Sequence, residues 1–278
     1  MSDDLEGAVA RHYGVPGLAE RVEHALAAAG LGDGPIAPEA LAPLDEFHIG
    51  GRAATKHALA RLQLSSGMTV LDVGCGLGGA TRYVAATFGC RVTGIDLTPD
   101  YIDLAWRLAQ RTGLADRITY EVASALDMPF ADAAFDAALT LHVAMNIRDR
   151  AGLYAEVARV LKPGAPFCIY DVMKGPGGDL AYPVPWADKP AESHLTTPQE
   201  MTELLAAAGF EVLETEDRTP AGIAFFTERI AAAAAGPPPA LGLHLLMGAN
   251  GRAKFANMLA NLQSGSIAAV IMIARRRQ

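Results

Sequence analysis

The sequence predicts an α/β fold: a mostly parallel sheet with helices on both faces. Short runs rich in Val, Ile and Leu alternate with longer segments of helical spacing. Glycine or proline punctuates most of the junctions. The chain has 278 residues, 51% of them hydrophobic and 19% charged, enough to bury a sizeable core.

The elements follow in order. Residues 5–30 read as a helix, with Leu18, Val22, Ala25, Leu26 and Ala29 at helical spacing. Residues 30–43 are a Gly/Pro-rich connector, and 53–63 resume a helix before a turn at Ser65, Ser66 and Gly67. A strand is expected over 68–74 and a helix over 78–89, closed by Gly89. A second strand covers 90–98, followed by a helix with Pro99 in its first turn. Strands at 118–124 and 135–142, a helix within 150–164 and a strand at 165–173 continue the rhythm. Strands alternating with helices in this way imply parallel pairing.

Beyond 173 the pattern changes. Residues 174–196 hold four prolines and read as a lid, because long irregular loops in compact domains tend to be functional. A helix at 197–210 and strands at 211–219 and 267–275 bring the strands to seven, with about 47 residues of helical character between the last two. The expected organisation is an N-terminal helical segment, 1–65, covering a cofactor site, and a core, 66–278, carrying the lid and a helical cap insertion at 220–266.

Composition narrows the function. A formal charge of −8 disfavours nucleic acid, whose phosphates need clustered Lys and Arg. The basic run Arg275 to Arg277 reads as a solvated tail. Cys75, Cys90 and Cys168 are odd in number and lack metal spacing, so neither a disulfide framework nor a metal site is expected. The acidic N-terminus has no apolar stretch of signal-peptide type, and no run approaches the ~18 apolar residues of a membrane span. A cytoplasmic protein without a membrane partner is the expectation.

The chemistry concentrates in VLDVGCGLGG, residues 70–79. A strand, a glycine loop and a helix form a cradle for an anion or a nucleotide. Asp72 stands two residues before Gly74, where a carboxylate suits an ammonium or sulfonium better than a diphosphate. Asp96 ends the next strand, twenty positions after Gly76, where a carboxylate accepts both hydroxyls of a ribose. The apolar turn 124–130 can hold an adenine face.

With these residues the chain resembles the class I S-adenosylmethionine-dependent methyltransferases of small-molecule type. Residues 70–79 are similar to that family's first motif, 94–98 to its second, and 124–139 to its third and fourth. The layout resembles sarcosine/dimethylglycine and tocopherol-type methyltransferases. The resemblance implies a Rossmann-like seven-stranded sheet with an antiparallel last strand and helical cap elements. It also implies S-adenosyl-L-methionine as cofactor, with S-adenosyl-L-homocysteine as product. The implied cofactor residues are Asp72, Gly74, Cys75, Gly76, Asp96, Leu97, Ser124, Ala125, Leu126, His142 and Tyr13. The family often has Asp where this chain has Ser124, and backbone groups of Ala125 and Leu126 are expected to meet the adenine there.

Ligands of open α/β sheets sit beyond the carboxyl ends of the strands. That position nominates His142 and Asn146 as catalytic, together with His48 from an N-terminal segment folded over the cofactor. Arg52, Asp171, Trp186 and His244 are substrate candidates, whereas Met247 reads as core. The expected partner is a small-molecule acceptor, methylated on N or O, with S and C open; a homodimer is compatible with the sequence. Two other readings stay open: a non-catalytic S-adenosylmethionine binder, and an NAD-dependent oxidoreductase, which Asp72 and the GxGxG spacing disfavour.

Overall fold

A computed structural model of the protein describes residues 2–14, 16–248 and 250–278. Its seven strands are β1 (Thr69–Val73), β2 (Arg91–Asp96), β3 (Ile118–Val122), β4 (Ala137–Leu141), β5 (Pro166–Lys174), β6 (Phe210–Asp217) and β7 (Ile267–Arg276). They form one sheet in the order β3-β2-β1-β4-β5-β7-β6. The first five pair in parallel, and β7 runs antiparallel to both neighbours, β5 and β6. The expected fold class is therefore observed. Strand order runs outward in both directions from the β1/β4 pair, so a crevice opens at the carboxyl ends of those two strands.

Eleven α-helices occur among the described residues. In chain order they are α1 (Ser2–Tyr13), α2 (Leu18–Ala28), α3 (Pro38–Asp45), α4 (Gly51–Leu59), α5 (Gly79–Phe88), α6 (Pro99–Arg111), α7 (Arg150–Val160), α8 (Pro198–Ala207), α9 (Thr219–Ala235), α10 (His244–Met247) and α11 (Gly251–Gln263). The strands β1, β4 and β5 are buried nearly throughout, as strands covered on both faces must be. One apolar cluster lies on the α5 face of the sheet and a second on the α7/α8 face.

Two expectations about the first 65 residues are corrected. The helix read over 5–30 is two helices, broken where Gly17 takes a left-handed conformation. The connector read over 30–43 contains most of α3, whose first turn starts on Pro38, a residue pre-set for that position. This N-terminal part has an apolar cluster of its own, in which Val22, Leu26, Leu41 and Leu44 pack with Leu104 and Leu108 of α6.

A buried ion pair ties α3 to the core. Asp45 Oδ2 accepts from Arg82 Nη2 of α5 at 2.6 Å, both side chains being wholly buried. Gly79 permits the approach, since a Cβ there would collide with the Asp45 carbonyl. The insertion before β7 consists of α9 to α11, with Phe226 against Phe255 at 5.3 Å between ring centres.

Candidate active site

A cavity at the carboxyl ends of β1, β2 and β4 gathers residues from the N-terminal helices, the sheet, the lid and the α9–α11 insertion. Its floor is the turn after β1. Gly74 and Cys75 both send their N–H groups to the Ile95 carbonyl, at 2.8 and 2.9 Å, which folds the turn back on β2. Gly76 has φ 53°, and a Cβ there would meet nothing within 4 Å, so the backbone faces open space.

Carboxylates surround that space. Asp96 accepts from the Gly76 N–H at 3.0 Å with one oxygen and from the Thr98 N–H at 2.9 Å with the other. Each oxygen keeps a lone pair for a further donor. Asp72 is buried and takes a 2.6 Å hydrogen bond from Thr81; its pKa is pushed up to about 7, chiefly by burial. Asp45 and Glu46 complete the acidic wall, while no Lys or Arg is among the described lining residues. Leu97, Ala123 and Ala125 form an apolar side next to Asp96.

The histidines sit at the opposite wall. The Thr55 hydroxyl donates its one proton to Glu46 at 2.6 Å, so at 3.0 Å it accepts from His48 Nε2. Burial pushes the His48 pKa down to about 4, so the ring is neutral at ordinary pH. His142 occupies a left-handed conformation, φ 57°, at the end of β4. Its Nε2 accepts from the Ile49 N–H at 3.4 Å, which leaves Nδ1 as the donor to the Tyr170 carbonyl at 3.2 Å. His142 thus lines the cavity with both ring nitrogens turned to backbone groups.

Asn146 and Tyr13 also line the cavity and bind one another, the Tyr13 hydroxyl donating to Asn146 Oδ1 at 3.2 Å. Asn146 Nδ2 donates to the Val143 carbonyl at 3.2 Å. Tyr13 belongs to α1, which crosses the mouth; His12 beside it contacts the Pro185 carbonyl of the lid at 3.0 Å. Trp186 lines the cavity, its indole N–H occupied by Ser193 Oγ at 2.9 Å.

Five other candidates fall outside the lining. Asp171 lies inside β5, not at its end, and its side chain points to the far face, where Arg150 Nη1 is 3.5 Å away. Arg52 stands behind the wall, bonded to Glu46, 3.9 Å from Asp45, and stacked over Tyr83. Ser124 turns its hydroxyl to Glu6 of α1 and accepts the Leu126 N–H, leaving Ala123 and Ala125 to face the cavity instead of Ser124 and Leu126. His244 is exposed at the start of α10, whose neighbours Leu243 and Leu246 face inward. Met247 is buried and outside the lining.

Several lining residues carry no distinctive sequence signal. Glu46 is one of many acidic residues until the fold buries it beside Thr55 and Arg52. Tyr101 reads as an apolar position of α6, yet its hydroxyl is buried without a partner among the described residues. Phe225, Phe226, Phe255 and Met258 come from helices whose facing side is set only by packing on β7 and the lid.

Sheet order, glycine turn and paired carboxylates define a nucleoside-binding α/β protein. Residues 71–169 match the family model described as "Methyltransferase domain". That stretch is similar to the methyltransferase domains of S-adenosylmethionine-dependent small-molecule enzymes. An O-methyltransferase of Aspergillus sclerotiorum is 36% identical over 168 residues, covering 59% of this chain and 62% of the relative. The chain spans from under half to under two thirds of the length of the first curated relatives it matches. Among solved structures, the [4+2]-cyclase SpnF is 27% identical, with a TM-score of 0.66 and 81% of each chain covered. Geranyl diphosphate C-methyltransferase from Streptomyces coelicolor is 20% identical, with a TM-score of 0.72 over 98% of each chain, and shows the shared fold. Among the described residues no helix is long and apolar enough to cross a membrane.

Proposed function

We propose that this chain transfers a methyl group from S-adenosylmethionine to a small acceptor enclosed by the N-terminal segment, the lid and the α9–α11 insertion. The carrying observation is the pair Asp72 and Asp96, which border the cavity without an ion-pair partner among the described residues, whereas Asp45 and Glu46 are paired from behind with Arg82 and Arg52. Such a pair suits a ligand with a sulfonium and an ammonium group and opposes a dinucleotide's diphosphate.

The residues fit the cofactor on further grounds. Asp72, raised by burial, lacks a cationic partner that an ammonium group would supply. Asp96 has lone pairs for two ribose hydroxyls, and the orphaned Tyr101 hydroxyl has room for one more bond. Leu97, Ala123 and Ala125 would flank the adenine. The cofactor supplies a methyl group already activated on sulfur, so alignment of the acceptor contributes much of the rate. Here Tyr13, Asn146 and His48 would orient the acceptor, and α1 with the lid would exclude water. The segment 1–65 serves on this reading as the cover, with 174–196 and 220–266 as the remaining walls.

Titration calorimetry of the full chain tests the reading. S-adenosylmethionine and S-adenosylhomocysteine are expected to bind and NAD to give no heat. Tight NAD binding without S-adenosylmethionine binding would overturn it. Production of S-adenosylhomocysteine against a panel of amines, phenols and alcohols then separates an enzyme from a non-catalytic binder.

A further inference from the structure

The cavity has a second half that differs chemically from the acidic one. Phe225 and Phe226 of α9, Phe255 and Met258 of α11, and Leu246 of α10 line it together with Trp186 of the lid. The aromatic rings support one another edge to face, Phe225 to Phe226 at 5.2 Å and Phe226 to Phe255 at 5.3 Å. Polar groups at its border are already used. The Trp186 N–H goes to Ser193, the Pro185 carbonyl to His12, and the Tyr13 hydroxyl to Asn146.

No Lys or Arg lines this half among the described residues; Arg229 is exposed and lies over the Phe225 ring at 5.1 Å, and Arg150, Lys254 and Arg52 are paired. Arg150 is turned to Asp171 and to the His194 carbonyl at 2.7 Å. Lys254 points from α11 toward Asp188 at 3.7 Å, and Arg52 is bound to Glu46. A phosphate or carboxylate entering here would lose its hydration and meet no cation among the described lining residues.

The geometry points to an uncharged, largely apolar acceptor, seated between α9, α11 and Trp186. This deepens the methyl-transfer reading and rests on it. The structural neighbour crystallised with geranyl-S-thiolodiphosphate also holds Mg2+; among the described residues here no group of three or more potential metal ligands occurs, so a diphosphate would find neither a cationic side chain nor a metal site.

The test uses the full chain with and without S-adenosylhomocysteine and the uncharged fluorophore N-phenyl-1-naphthylamine. The dye is expected to bind with blue-shifted emission. Geraniol should displace it at concentrations roughly tenfold or more below those needed of geranic acid, whose carboxylate is close to the alcohol in size, and of geranyl diphosphate with or without Mg2+. Phe255→Arg should weaken dye binding by about tenfold while calorimetric binding of S-adenosylhomocysteine stays unchanged. Absence of dye binding, or displacement by the acid or the diphosphate at least as effective as by the alcohol, overturns the inference. Should Phe255→Arg not fold, the wild-type competition decides alone. Loss of the methyl-transfer reading would show separately, as absent heat with S-adenosylhomocysteine.

Discussion

Asp72 and Asp96 hold different positions on the same cavity, and their variants should fail differently. Asp96 would hold two ribose hydroxyls by charge-assisted hydrogen bonds worth roughly 1.5–3 kcal/mol each. Asp96→Ala should therefore weaken S-adenosylhomocysteine binding by more than about tenfold in calorimetry; an unchanged Kd would remove Asp96 from the site. Asp72 titrates near neutrality, at about 7, because burial disfavours its charge. An ammonium ligand needs the ionised form, so affinity should fall as pH drops through about 7, by up to roughly tenfold per unit, and level off above it. Asp72→Asn should flatten that profile. For the unliganded fold the sign is opposite: the folded state holds the Asp72 proton to higher pH than the unfolded chain, so stability declines as pH rises from the ordinary carboxylate range toward 7. Both aspartates are legible in the sequence because glycine spacing fixes what their strands present. Asp171 is not, because strand alternation decides the face, and nothing local says whether Arg150 or the cavity lies on that face.

At the scale of elements, α1 brings Val9 and Tyr13 to the cavity lining and is tied to the rest of the site by few bonds. Tyr13 holds Asn146, His12 reaches the lid at Pro185, and Glu6 takes the Ser124 hydroxyl. A single neutral hydrogen bond contributes about 0.5–1.5 kcal/mol net. Tyr13→Phe should thus speed release of S-adenosylhomocysteine by roughly threefold to tenfold in stopped-flow fluorescence, with the melting temperature little changed. An unaltered release rate would mean that α1 does not gate the site. The strands and the helices between them are legible because parallel strands read as continuous apolar runs and their helices start and stop on Pro or Gly. The inward faces of α9, α10 and α11 are not. These helices have weak polarity contrast, and they are oriented by the lid and β7, both distant in sequence.

For the whole molecule, the Asp45–Arg82 pair, with both side chains wholly buried, joins α3 to α5 beside the apolar packing of the N-terminal helices on α6. Arg82→Met should cost about 3–5 kcal/mol, because it strands the Asp45 carboxylate in the interior. A urea midpoint clearly lowered in Arg82→Met and largely restored in the Asp45→Leu/Arg82→Met double variant would establish the pair; equal losses in both would assign the effect to packing around α5.

The strand order has one more consequence. β6 reaches the rest of the sheet only through β7, which is formed by later residues and lies between β5 and β6. During synthesis β6 therefore has no strand to pair with until Ile267–Arg276 has been made. A chain lacking Ile267–Arg276 would lose β6 along with β7, since β6 has no other partner in the sheet.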